Sequence, residues 1–134
     1  MKLLQLTFLV FALSLIACQS DSANQETEGE APKRGFYKSL KVQSFQRILS
    51  SVDNPQIIDV RTPEEFAQGH IANAQNINFH ADDFLAQINK LNRDLPVFLY
   101  CQSGGRSKKS MEAMKDMNFF VIYELEGGYS SWEQ

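Results

Sequence analysis

The sequence predicts an α/β domain with a central parallel sheet of five strands and helices on both faces. Three observations predict it. Short apolar runs with strand character alternate with segments of helical spacing along the chain, the pattern of successive βαβ units with right-handed crossovers. The run Gln56-Ile57-Ile58-Asp59-Val60 is almost continuously apolar, as expected of a parallel strand covered on both faces. The apolar stretch Val97-Phe98-Leu99-Tyr100 leads into Cys101, a glycine-containing loop and then a helical pattern, a strand-loop-helix unit of the kind that places reactive groups at the carboxyl edge of a sheet.

Taken in order, Tyr37 to Val42 reads as the first strand. Phe45, Ile48, Leu49 and Val52 recur at helical spacing, so a helix follows, and Asp53-Asn54-Pro55 turns the chain into the second strand, Gln56 to Val60. Thr62-Pro63-Glu64-Glu65-Phe66 has a cap residue, a proline at the first helical position and an acidic first turn; Thr62 and Glu65 also have capping-box spacing. Gln75 to Phe79 is the third strand. A helix is expected from about Asp82 to Lys90 with Phe84, Leu85 and Ile88 inward, and His80 is placed at its start. Pro96 precedes the strand that ends at Cys101. In the helix after the cysteine loop, Met111, Met114 and Met117 share a face and read as core filler. Val121-Ile122-Tyr123 is the last strand, followed by Gly127-Gly128 and a short end containing Trp132.

At 134 residues, 43% hydrophobic and 22% charged, the chain supports one modest core. A net charge of −3 argues against nucleic-acid binding, which requires a basic footprint. Residues 1–17 stand apart. Lys2 is followed by the almost wholly apolar Leu3 to Ile16, whose length and flanks fit a secretory signal better than a spanning helix. The run closes on Leu15-Ile16-Ala17-Cys18, which resembles the lipobox of bacterial lipoproteins. That resemblance implies cleavage before Cys18, its lipidation, and an exported chain anchored to a bacterial membrane at the periplasmic face or cell surface. Residues 18–34 are rich in Ser, Asn, Gln and Glu, have no large apolar side chain and read as a flexible acidic tether. The domain occupies 35–134, where Cys101 is then the single thiol.

Cys101-Gln102-Ser103-Gly104-Gly105-Arg106-Ser107 carries the chemistry. A thiol at a strand end, before glycines and a helix start, sits where backbone N–H groups converge; these bind anions and favour a thiolate. Arg106 adds a forked cation suited to an oxyanion. Together they point to nucleophilic sulfur chemistry on a small anionic substrate.

The loop resembles that of the rhodanese sulfurtransferases, with the pattern C-x-x-G-x-R-S matched by Cys101, Gly104, Arg106 and Ser107. Four residues separate Cys101 from Arg106, where cysteine-dependent phosphatases place five. Further resemblance lies in Ile57 to Phe66, Gly69-His70-Ile71, Ala74, Asn76, Ile77, and Leu125-Glu126-Gly127-Gly128 with Trp132. It departs from the family at Asn118, which replaces a helix-capping glycine, at Ala72-Asn73, which replaces Pro-Gly, and at Gln102, where many members carry arginine.

The resemblance implies a sulfurtransferase that needs no cofactor and no metal. Cys101 is its catalytic nucleophile, and Gln102, Ser103, Gly104, Gly105, Arg106 and Ser107 bind substrate. A small anionic sulfur donor such as thiosulfate loads Cys101 as a persulfide, and cyanide or a thiol takes the sulfur. Asp59, Arg61 and Glu65 are read as supporting residues, with Arg61 and Glu65 forming an ion pair and Asp59 bonded to nearby backbone. His70 is read as scaffold. A monomer is expected. The alternative is a membrane-anchored sulfur carrier or a non-catalytic binding module of the same fold.

Overall fold

The structure, a computed structural model, describes residues 35–132; the expected signal segment, the expected tether and Cys18 lie outside the described residues. Five strands, β1 (Phe36–Leu40), β2 (Gln56–Asp59), β3 (Gln75–Asn76), β4 (Val97–Tyr100) and β5 (Val121–Leu125), form one sheet in the order β1-β5-β4-β2-β3, every pair parallel. Helices α1 (Val42–Leu49), α2 (Pro63–Ala67), α3 (Phe84–Ile88), α4 (Gly105–Asp116) and α5 (Tyr129–Trp132) fill the connections and the C-terminal end.

Alternation of side chains along each strand divides the core into two layers. On one face Ile58, Val97, Leu99 and Ile122 pack with Phe84 and Ile88 of α3 and Met111 and Met114 of α4. On the other, Leu40, Ile57, Phe98, Tyr100 and Leu125 pack with Phe45 of α1 and Tyr129 of α5. The predicted α/β class, with helices on both faces, is the observed one. Met111 and Met114 are buried as core filler, and Met117 packs partly against the same layer.

The differences lie at element ends. β1 starts at Phe36 and stops at Leu40, because its five residues pair in register with Val121 to Leu125 and Lys41 already caps α1. β3 covers two residues rather than five, although Ile77 and Phe79 still donate to the Asp59 and Val60 carbonyls as the chain leaves the edge. α3 is a five-residue turn of helix rather than the span from Asp82 to Lys90; the Asp83 side chain caps no backbone N–H of its first turn and accepts from Gln87 Nε2 instead. His80 sits in the preceding turn, not at the helix start. Leu85, expected inward, is 55% exposed, since so short a helix buries only Phe84 and Ile88.

α2 begins as its sequence demands: Thr62 Oγ1 accepts from Glu65 N, Glu65 Oε2 accepts from Thr62 N, and Pro63 occupies the first turn. After α4, Asn118 takes the left-handed conformation (φ 61°) that ends the helix without a glycine. Among the described residues no helix is long and apolar enough to cross a membrane.

Candidate active site

β2 and β4 are neighbours, with Asp59 paired to Tyr100, so the residues leaving the two strands meet at one sheet edge. Val60 N donates to Tyr100 O at 2.9 Å, which sets Arg61 beside the cysteine loop. Gly104 then reverses the chain at φ 99°, a conformation that favours glycine, and α4 starts at Gly105. The first N–H groups of a helix have no partner within it, so they are available to the loop they enclose.

Cys101 is 1% exposed. Its Sγ accepts the Gly104 N–H at 3.1 Å, and Ser107 Oγ lies 3.5 Å away. Burial pushes the thiol up, but the Ser107 hydroxyl and the N–H groups of Ser107, Ser103 and Gly104 outweigh it, leaving the thiol below its ordinary value.

Arg106 is not a free cation. Its two terminal nitrogens donate to the two Glu65 oxygens at 2.7 Å each, joining the loop to α2. The Arg106 hydrogen bonds hold the Glu65 carboxyl down at about 2. The predicted Arg61–Glu65 pair is therefore replaced by two others. Arg61 Nε and Nη2 donate to Asp59 at 2.7–3.0 Å, and Asp59 Oδ1 also accepts the Arg61 backbone N–H. The reason is reach: Asp59 is two residues away on the same turn and wholly buried, whereas Glu65 is turned by its helix toward the loop.

Arg61 Nη2 also donates to Gly69 O and Nη1 to Gln102 Oε1, and its guanidinium lies 4.1 Å from the centre of the Tyr129 ring. Gln102 Nε2 in turn donates to Ser130 Oγ. These groups line a polar cleft of about 170 Å³ made by Arg61, Glu65, Gln68, Gly69, Gln102 and Tyr129. Ser103 and Gly105 are exposed on the loop. His70 stacks on Phe66 and shares a hydrogen bond with Phe66 O at 3.0 Å, away from the sulfur. Among the described residues no three His, Cys, Asp or Glu side chains gather as metal ligands.

Two contributors escaped sequence reading. Tyr129 carries no local motif. Glu124 did leave a signal, an acid inside the apolar run Val121-Ile122-Tyr123-Glu124-Leu125, and it is buried against Ser107, with Oε1 2.7 Å from the hydroxyl.

A family model described as a rhodanese-like domain matches residues 41–134. The chain is 39% identical over 93 residues to the protein YqhL of Bacillus subtilis, covering 69% of this chain and 72% of that one. It is 32% identical over 96 residues to the thiosulfate sulfurtransferase GlpE of Pseudomonas aeruginosa, covering 66% and 84%. Among solved structures, the rhodanese-like domain protein of Staphylococcus aureus superposes with a TM-score of 0.62 at 33% identity, covering 71% of this chain and 90% of that one.

Proposed function

The chain belongs to the rhodanese-like family, and from that premise we propose that it is a thiosulfate-type sulfurtransferase working through a persulfide on Cys101. The observation that carries the reading is the Cys101 sulfur, held by the Gly104 N–H and beside the Ser107 hydroxyl in surroundings that favour its thiolate.

The thiolate attacks the outer sulfur of thiosulfate. A bond forms between the two sulfurs, the S–S bond of the donor breaks, and sulfite leaves with its electron pair. Cys101 then carries a persulfide whose negative end sits among the same N–H donors. Cyanide or a thiolate attacks the terminal sulfur, the persulfide S–S bond breaks, and the Cys101 thiolate is restored. Glu65 holds and neutralises the Arg106 guanidinium, so the N–H groups around the sulfur are what receive an arriving anion. Gln102 adds a neutral amide to the cleft. Relatives named thiosulfate sulfurtransferase support the donor class.

A carrier that loads once and passes its sulfur to a protein is the second reading. The 1% exposure of Cys101, which keeps a bulky acceptor from the sulfur, weighs against it. The Leu15-Ile16-Ala17-Cys18 run supports placing either activity at a bacterial membrane through lipidated Cys18.

Intact-mass spectrometry of the full chain after thiosulfate, and again after cyanide, tests the proposal. The expected result is a gain of one sulfur atom that cyanide removes and that Cys101→Ser never acquires. Multiple turnover separates enzyme from carrier. A folded protein with a free thiol and no sulfur gain refutes both.

A further inference from the structure

The end of the sheet opposite the cysteine carries an apolar patch that the transfer steps do not use. Among the described residues Phe36, Leu85, Leu95 and Phe120 are the exposed large apolar side chains, and three of them lie where neighbouring strands begin. Phe36, 51% exposed, opens β1; Phe120, 43% exposed, immediately precedes β5; Leu95, 38% exposed, lies just before β4. Backbone bonds tie these segments together: Phe36 N donates to Phe120 O at 2.8 Å, and Phe120 N donates to Arg93 O at 3.0 Å. Because the strands run parallel, this is the amino edge of the sheet, and Cys101 leaves β4 at the carboxyl edge.

Three half-exposed side chains are too few to hold a protein partner, whose interface takes roughly 20–30 residues a side. The chain itself points to another occupant. The described part begins at Gly35, next to Phe36, and residues 18–34 separate that point from Cys18. A segment of that length reaches about 60 Å at most, even fully extended. A lipid on Cys18 therefore keeps a bilayer within reach of the domain, and the chain enters the domain at the amino edge. Docking there is intramolecular, so weak contacts suffice to drive it. Phe and Leu side chains pressed into the boundary between headgroups and acyl chains are the usual contacts of a surface-bound protein. Lys33-Arg34 precede Gly35 in the sequence, and Arg93 is exposed beside Asp94 and Leu95; the excess of positive charge suits anionic headgroups.

We propose that the amino edge of the sheet docks through Phe36, Leu95 and Phe120 on the bilayer that holds lipidated Cys18, and turns the Cys101 loop toward the aqueous phase. The inference rests on the reading of Cys18 as a lipid anchor, not on the sulfur chemistry. Val97 and Cys101 are separated by about 13 Å of parallel strand, which holds the sulfur clear of the headgroups. The sulfur acceptor that this orientation admits is water-soluble; one confined to the bilayer does not reach Cys101.

The experiment is tryptophan quenching by brominated lipids. The full chain, produced in a bacterium and checked by intact mass for lipid on Cys18, is placed in vesicles of phosphatidylcholine and phosphatidylglycerol with brominated acyl chains. Phe36→Trp, Phe120→Trp and Glu126→Trp each add one fluorophore, the last on the exposed carboxyl side of β5, with folding checked by circular dichroism. Trp132 of the unmodified chain, packed against Phe45, sets the baseline. Emission added at residues 36 and 120 should fall by about half, since docked side chains lie about 5–10 Å into the boundary, within reach of the bromines. Emission added at residue 126 should stay unquenched. Leu95→Asp placed in Phe120→Trp should weaken the quenching; quenching that stays as strong would overturn the patch as the docking surface. Quenching at residues 36 and 120 no greater than at 126, on a chain whose mass shows the lipid, would overturn the docking and leave the anchor standing. A chain with no lipid on Cys18 overturns both.

Discussion

Glu65→Gln isolates the charge that ties the cysteine loop to α2. In the native chain Glu65 Oε2 accepts both Thr62 N and Arg106 Nη1, and Oε1 accepts Arg106 Nη2. Glutamine can keep its oxygen toward Thr62 N and so preserve the helix cap. Its amide nitrogen then faces Arg106 Nη2, donor against donor, and the negative charge is gone. Exposed pairs contribute about 0.2–1 kcal/mol, while breaking a buried pair costs about 3–5 kcal/mol. Here the side chains are 21% and 30% exposed, between the two cases. The Glu65 carboxyl falls from 4.5 to about 2, chiefly through its hydrogen bond with Arg106. Taken at face value that shift is roughly 3 kcal/mol, and screening at this exposure brings it to about 1–2 kcal/mol. Since the folded-state value is depressed, the contribution is fully present above pH 4.5 and is lost as pH falls through about 2. Urea denaturation at pH 7 should therefore show Glu65→Gln less stable by about 1–2 kcal/mol, equivalent to a melting midpoint about 5–10 °C lower for a domain of this size. Repeated at pH 4, 3 and 2, the gap between the two proteins should close. A gap below about 0.3 kcal/mol at pH 7, or one that persists unchanged at pH 2, would refute the assignment of this bridge as a clamp.

Two other substitutions test neighbouring parts of the site. Gly128→Ala should destabilise the domain by more than about 2 kcal/mol and slow sulfur loading, because φ is +62° and the added Cβ would stand 2.4 Å from Cys101 O; native loading rates with an unchanged melting midpoint would contradict this. Asp59→Asn leaves the Arg61 guanidinium, 3% exposed, without its counter-charge and should cost about 3–5 kcal/mol in urea denaturation; a loss under about 1 kcal/mol would mean that Gly69 O, Gln102 Oε1 and the Tyr129 ring suffice to hold it.

Much of this protein was legible along the chain because the signals are local. The apolar run Ile57-Ile58 before Asp59 marks a doubly covered strand, and the Thr62-Pro63-Glu64-Glu65 start marks a helix; both descriptions hold in three dimensions. Met111 and Met114 repeat at helical spacing and are buried accordingly. Where the local signal was weak the reading drifted: Asp82 to Lys90 has helix-compatible residues but a cap residue whose side chain bonds no backbone N–H, so only one turn forms and Leu85 is left outside.

By itself the sequence determined the α/β alternation, the order of the elements and the place of Cys101 at a strand end before a glycine-started helix. These depend on backbone preferences and on side-chain period, which act over a few residues. Only the tertiary structure decided which charges pair. Arg61 turned to Asp59 and Glu65 to Arg106, across a separation of 41 residues. It also brought Glu124 beneath Ser107, 17 residues earlier in the chain, with one oxygen unpartnered. Charge pairing depends on distance and burial after the strands have taken their parallel order, and neither quantity exists until β5 has slotted between β1 and β4.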